Sequence, residues 1–159
     1  MARPSPADER SSVTSRTHVN SYKWGTNLIG FNALNSYVSP SYYVQKMLAD
    51  SHGDQVLPSS FAGTDTVNTV VTNDSSTGKI YITLVNPSSA AQTVNVNLSG
   101  AGTLPSTGTA TTLSSASGTD TNSISDPDKI TPSTASISGV SSAFARTVPA
   151  YSVTVLTLG

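Results

Sequence analysis

The chain has 159 residues, 36 % of them hydrophobic and 11 % charged, with a formal net charge of −1. That length supports one domain with a real core, and a charge so near zero leaves no electrostatic footprint for nucleic acid or an anionic membrane. The absence of cysteine excludes a disulfide framework and a thiolate metal site, and no apolar run approaches the ~20 residues that span a bilayer.

Residues 1–17, MARPSPADERSSVTSRT, are polar and Pro-bearing, with no hydrophobic period. They read as a mobile leader or as sequence foreign to the domain. They lack the apolar stretch of a signal peptide, although a mature secreted protein has the same look. Glu9, the only glutamate in the chain, lies here.

Leu28-Ile29-Gly30-Phe31 is a short apolar run of the kind found in a strand buried on both faces. Ser39 then suits a helix N-cap and Pro40 the first helical position. Tyr43 and Met47, like Val44 and Leu48, stand four apart and form one apolar face. Gly53 is placed to end the helix or the turn after it. A strand, a loop and an amphipathic helix make one β/α unit over residues 18–55, which normally needs neighbours in the same sheet. The apolar residues Leu28, Ile29, Phe31, Tyr43, Val44, Met47 and Leu48 are therefore expected to pack on the rest of the chain or on a second copy.

From about residue 57 the period changes to two. Val67 to Thr72 reads as a strand, and Asn73 to Gly78 as a turn. In Lys79 to Val85, Ile80, Ile82 and Leu84 share one face, with Tyr81 and Thr83 on the other. Asn86-Pro87-Ser88-Ser89 breaks the run, and Thr93 to Leu98 alternates again, suggesting a half-buried antiparallel meander. Within the Gly-, Ser- and Thr-rich residues 99–128 only Thr109 to Leu113 reads as a strand. Weaker strands follow at Ala135 to Ile137 and Phe144 to Val148, and a clear one at Ser152 to Leu158. The fold class is mainly β: an antiparallel, jelly-roll-like β-sandwich over residues 56–159, preceded by one short strand and one helix.

Three segments, WGTNLIGFNALNSYVSPSYYVQKMLADSHGD, GKIYITLVNPSSAAQTVNVNLSG and RTVPAYSVTVLTL, resemble the C-terminal end of the α-L-arabinofuranosidases of glycoside hydrolase family 51. The resemblance covers roughly residues 20 to 159, and SPSYYVQKM and PAYSVTVL are its most specific parts. It implies a (β/α)8 catalytic barrel with a β-sandwich packed against it. Leu28 to Phe31 would be the last barrel strand, Pro40 to Asp50 the last barrel helix, and the sandwich would begin near residue 56. It also implies retaining hydrolysis by two glutamates, one acid/base and one nucleophile, both upstream of the matched region. Retention needs two carboxyl groups about 5–5.5 Å apart. The one glutamate here stands in the leader, so no catalytic residue is assigned, and the chain reads as a fragment or truncated relative of such an enzyme.

The acids outside residues 1–17, Asp50, Asp54, Asp65, Asp74, Asp120, Asp126 and Asp128, offer only weak alternatives. Asp126-Pro127-Asp128 is the tightest grouping and suits a turn better than a Ca²⁺ loop or a paired acid. His18 and His52 have no carboxylate cluster beside them, so neither a metal nor a cofactor is expected. Sugars stack on exposed rings, which makes Trp24, Tyr37 and Tyr81 carbohydrate-contact candidates, with Asn32 beside them at the end of the strand that would face a barrel's active-site mouth. Tyr42, Tyr43 and Tyr151 are further rings. Asn73-Asp74-Ser75 and Asn97-Leu98-Ser99 match the N-glycosylation pattern.

Three readings compete. The chain is a non-catalytic C-terminal β-sandwich of an arabinofuranosidase-like hydrolase acting on plant cell-wall polysaccharide, partnered by a catalytic barrel. Alternatively it is a stand-alone carbohydrate-binding module for a polysaccharide or oligosaccharide, or a small hydrolase with a reassigned carboxylate site.

Overall fold

The computed structural model describes residues 28–62 and 67–159. The expected leader, Trp24, His18 and Asp65 lie outside these residues. The chain divides into two compact units. Of the described residues, one holds 28–43 and 121–131, and the other 44–62, 67–120 and 132–159.

The first unit opens with a hairpin, in which β1 (Ile29–Phe31) pairs antiparallel with β2 (Ser36–Val38). Asn32 makes the turn: its Oδ1 accepts from the backbone N–H of Leu34 at 3.0 Å and of Asn35 at 2.8 Å. β1 is not buried on both faces as its composition suggests. Only Gly30 is buried, Ile29 is half-buried and Phe31 is 36 % exposed, because a two-stranded ribbon has few neighbours to cover it.

The helix α1 (Pro40–Asp50) follows where expected. Ser39 caps it, with Oγ and the carbonyl oxygen accepting from Tyr42 N–H at 3.3 and 3.0 Å. Met47 is its buried residue, whereas Leu48 is 39 % exposed, so the Tyr43–Met47 row carries more burial than the Val44–Leu48 row. At the C-terminus His52 Nδ1 lies 2.7 Å from the carbonyl of Ala49, the place where an imidazole N–H satisfies an orphan acceptor.

The second unit is a sandwich. Its larger layer is a six-stranded sheet in the order β3 (Gln55–Val56), β4 (Asn68–Asn73), β5 (Ile80–Asn86), β10 (Ser152–Leu158), β7 (Thr107–Ser114), β8 (Ser133–Ser138). Its smaller layer pairs β6 (Gln92–Asn97) with β9 (Ala143–Val148). All pairings are antiparallel.

The expected meander through β6 therefore does not form. β6 leaves β5 and joins β9 in the other layer, as Greek-key connections do. The register places Val71, Ile82, Leu156 and Ala110 in one cross-strand row, with Ile80 and Leu158 in the next. This face meets Val94 and Val96 of β6 and Val148 of β9 in the core. Leu84, Leu156 and Leu158 are at most 1 % exposed, and full burial of such a side chain contributes about 1.5–3 kcal/mol.

The opposite face of the six-stranded sheet is also partly covered: Thr83, Leu113 and Val155 are buried. Alternation along β5 thus holds for Ile80, Ile82 and Leu84 but gives no clean solvent face.

Candidate functional site

The sequence offers two kinds of candidate chemistry, rings for sugar stacking and carboxylates for hydrolysis. Of the ring group, Asn32 and Tyr37 fall on the β1–β2 hairpin, and Tyr81 on β5 of the second unit. Asn32 is exposed but its carboxamide oxygen is engaged in closing the hairpin turn.

Tyr37 faces Gly30 across the hairpin. A Cβ built on Gly30 would stand 2.3 Å from the Tyr37 ring, so the ring lies over the glycine. An aromatic covering a cross-strand glycine is a packing device, and it leaves Tyr37 half-buried.

Tyr81 is half-buried too, with Thr72 and Thr157 as its cross-strand neighbours. Tyr42 and Tyr43 meet edge to face, ring centroids 5.8 Å apart. Burial raises the pKa of the Tyr43 phenol, and the negative charge of Asp128 adds to the effect.

The aspartates hold turns. Asp54 Oδ1 accepts from Ser75 N–H at 2.8 Å and Oδ2 from Ser75 Oγ. These two bonds, the side-chain one first, lower its pKa. Asp74 Oδ1 accepts from Ser76 Oγ at 2.6 Å and from the N–H groups of Ser76 and Thr77 at 2.9 and 3.2 Å. These bonds, led by the Ser76 and Thr77 side chains, bring its pKa down to about 2.

A carboxyl held that low is fully ionised at neutral pH and cannot serve as the general acid of a glycosidase. Asp50 pairs with Lys46 one helical turn away. Asp120 Oδ2 accepts from Ser115 Oγ and Ser117 N–H at 2.9 and 3.2 Å. Asp126 closes a turn with Ser123, N–H to carbonyl in both directions at 3.1 and 3.2 Å, and a second turn follows at Pro127-Asp128, where the Asp-Pro-Asp pattern suggests one. Among the described residues no three His or acidic side chains gather as metal ligands.

Two residues that read in the sequence as a strand breaker and as loop prove to be buried and multiply hydrogen-bonded. Asn86, 1 % exposed, donates from Nδ2 to the carbonyls of Ala90 at 2.9 Å and Pro149 at 2.7 Å, while its Oδ1 accepts from Ser88 N–H and Oγ. It ties the β5–β6 crossover to the β9–β10 turn. That turn holds Tyr151 at a φ of 44°, a left-handed conformation costly for a bulky residue, fixed by its N–H donating to the Ser88 carbonyl at 3.0 Å.

Asn122, also 1 % exposed, donates to the carbonyls of Val38 and Ile130 and accepts from Ile130 N–H at 2.7 Å, fastening residues 121–131 to the end of β2. The Asn-Pro-x pattern at Asn86 signals an Asx turn, but nothing local signals the 63-residue reach to Pro149.

Among the described residues, the carboxylates of Asp54, Asp74 and Asp120 and the amides of Asn32, Asn86 and Asn122 thus hold turns and loops. Comparison with known proteins gives the family. The profile described as the alpha-L-arabinofuranosidase C-terminal domain matches residues 17–152. The chain belongs to this family. It is 31 % identical over 121 residues to α-L-arabinofuranosidase 1 of Arabidopsis thaliana, covering 72 % of this chain and 18 % of that one. It is 32 % identical to the probable α-L-arabinofuranosidase A of Aspergillus terreus over 87 % of this chain and 22 % of that one. Among solved structures, an arabinose-bound GH51 α-L-arabinofuranosidase superposes with a TM-score of 0.82 at 32 % identity, over 89 % of this chain and 23 % of the other. A thermostable GH51 enzyme of Thermotoga petrophila shares the fold at a TM-score of 0.71 and 16 % identity, over 84 % of this chain and 31 % of its own. This arabinofuranosidase C-terminal domain thus spans about a fifth of the curated relatives it matches.

Proposed function

We propose that this chain is the non-catalytic accessory β-sandwich of an α-L-arabinofuranosidase-like glycoside hydrolase that acts on plant cell-wall polysaccharide, and that it works by docking on a catalytic barrel. The observation that carries this is the family match over residues 17–152 together with a single glutamate, Glu9, outside that span. Retaining hydrolysis needs a carboxyl pair about 5–5.5 Å apart, and Asp54, Asp74 and Asp120 are committed to their turns.

The docking surface is the β3–β4 edge on the side of the six-stranded sheet away from the sandwich core, where that side is left exposed. Val70 stands two residues before Thr72 on β4, and Thr72 is the register partner of Val56 on one side and Tyr81 on the other. Val56 is 75 % and Val70 43 % exposed, and an apolar edge of this kind favours a protein partner.

The test is to remove the matching C-terminal segment from a family enzyme and add this chain to what is left. Co-elution and a higher melting temperature of the barrel are expected, both weakened by Val70→Asp. Separate elution with unchanged melting would count against docking.

A further inference from the structure

We propose that Asn97 is an N-glycosylation acceptor and that Asn73, which carries the same sequence pattern, is not. Both triplets read Asn-x-Ser, and the pattern alone does not separate them. Their places in the fold do. On β6 the side chains of Val94 and Val96 enter the core, so Thr93, Asn95 and Asn97 stand on the outward face, and all three are exposed.

Asn97 is the last residue of the strand. Leu98 then packs against the core and its N–H donates to the Ser142 carbonyl at 2.8 Å, which holds the flanking Asn97 and Ser99 outward. Ser99 is exposed, and Gly100 turns the chain at a φ of 77° with open space where a side chain would be. Among the described residues no group hydrogen-bonds the Asn97 carboxamide. A bulky, solvated glycan fits such a site without displacing anything.

Asn73 is held through its backbone and its triplet's serine. It lies in the ladder between Gln55 of β3 and Ile80 of β5 and is half-buried. Its backbone carbonyl is so close to Gly53 that a Cβ there would sit 2.1 Å from the oxygen. The hydroxyl of its own triplet, Ser75 Oγ, is donated to Asp54.

The transfer needs a polyisoprenyl-diphosphate oligosaccharide as donor, supplied in the secretory compartment of eukaryotic cells such as those of the plant and mould relatives. The Asn97 Nδ2 attacks the anomeric carbon and an N–C bond forms. The C–O bond to the phosphate breaks, the lipid diphosphate leaves with that electron pair, and one Nδ2 proton passes to a base of the transferase. The glycan then covers the outward face of β6, whose strand partner among the described residues is β9.

The test delivers the full chain into the endoplasmic reticulum of yeast and reads tryptic peptides by mass, with and without peptide N-glycosidase, in the secreted and retained fractions. The expected result is a glycan on Asn97, a bare Asn73, and loss of one glycan's mass in both Asn97→Gln and Ser99→Ala, with Ser75→Ala unchanged. Because the unaltered chain is read directly, a variant that folds poorly does not decide the outcome. A bare Asn97, or a glycan on Asn73, would overturn the proposal.

Discussion

Asn86 bonds to Ala90, Pro149 and Ser88 from a site almost without solvent. Truncating such a group leaves its partners unsatisfied, at about 1–3 kcal/mol for each buried group stranded. Asn86→Ala is expected to lower unfolding free energy by about 2–4 kcal/mol, read by urea denaturation. A loss below about 0.5 kcal/mol, the ordinary size of a surface change, would mean the network is replaced by water.

Arg146 presents the opposite case. On β9 it alternates to the same side as Phe144 and Val148, and its Nε is buried without a partner among the described residues. Arg146→Met keeps the stem that covers apolar surface and removes the unsatisfied donor, so stability should hold or rise by about 1 kcal/mol. A clear loss in the same denaturation series would show that the guanidinium is satisfied and needed.

Asp74 gives a pH signature. Its folded pKa, about 2, lies below the ordinary carboxyl value of 3.8, so the folded state favours the ionised form. The resulting stabilisation is present above about pH 4 and is lost as pH falls toward 2. Wild type should lose stability relative to Asp74→Asn across that window and keep a constant offset above it. Parallel curves down to pH 2 would contradict the turn geometry.

At the scale of elements, Gly53 and Gly78 make a controlled pair. A Cβ at Gly53 would collide with the backbone of Asn73, whereas Gly78 has open space but a φ of 73°. Gly78→Ala should cost about 1–2 kcal/mol in backbone strain. Gly53→Ala should cost more, because the connection from α1 into β3 must move. Equal thermal shifts for the two would show that β3 tolerates displacement.

Gly53 also shows where sequence reading stops. It was legible as a glycine at the end of a helix, but the demand it meets is a close approach to a strand some twenty residues on.

The start of the helix at Pro40 and the strand from Ser152 to Leu158 were legible to the residue, because caps and alternation are local, whereas the helix end at Asp50 came from the family resemblance. β2 was not legible, since Ser36-Tyr37-Val38 gains its strand character only from pairing with β1. β6 was legible as a strand but not as a partner of β9, because partner choice depends on the crossover that Asn86 fixes. The packing of Tyr37 was not legible for the same reason: its ring lies over Gly30, a neighbour that only the pairing of β2 with β1 reveals. The turn at Asp126 was legible, while the buried Asn122 just before it looked like any loop residue.

For the whole molecule, the matched family, the two-layer core and the commitment of Asp54, Asp74 and Asp120 to turns fit a scaffold that serves a catalytic partner. On this account Tyr81→Ala leaves retention on insoluble arabinoxylan unchanged, because Tyr81 is half-buried on the face assigned to docking; a Tyr81-dependent loss of retention would favour a sugar-binding module instead.

The most direct measurement is initial-rate hydrolysis of an aryl α-L-arabinofuranoside by the purified full-length chain, with a GH51 enzyme as positive control and a variant lacking residues 1–17 alongside. The account predicts no turnover above the buffer rate in either form. Turnover that tracks the purified chain would contradict it, and its loss or survival in the shortened variant would tell whether Glu9 or the aspartates supply the missing carboxyl pair.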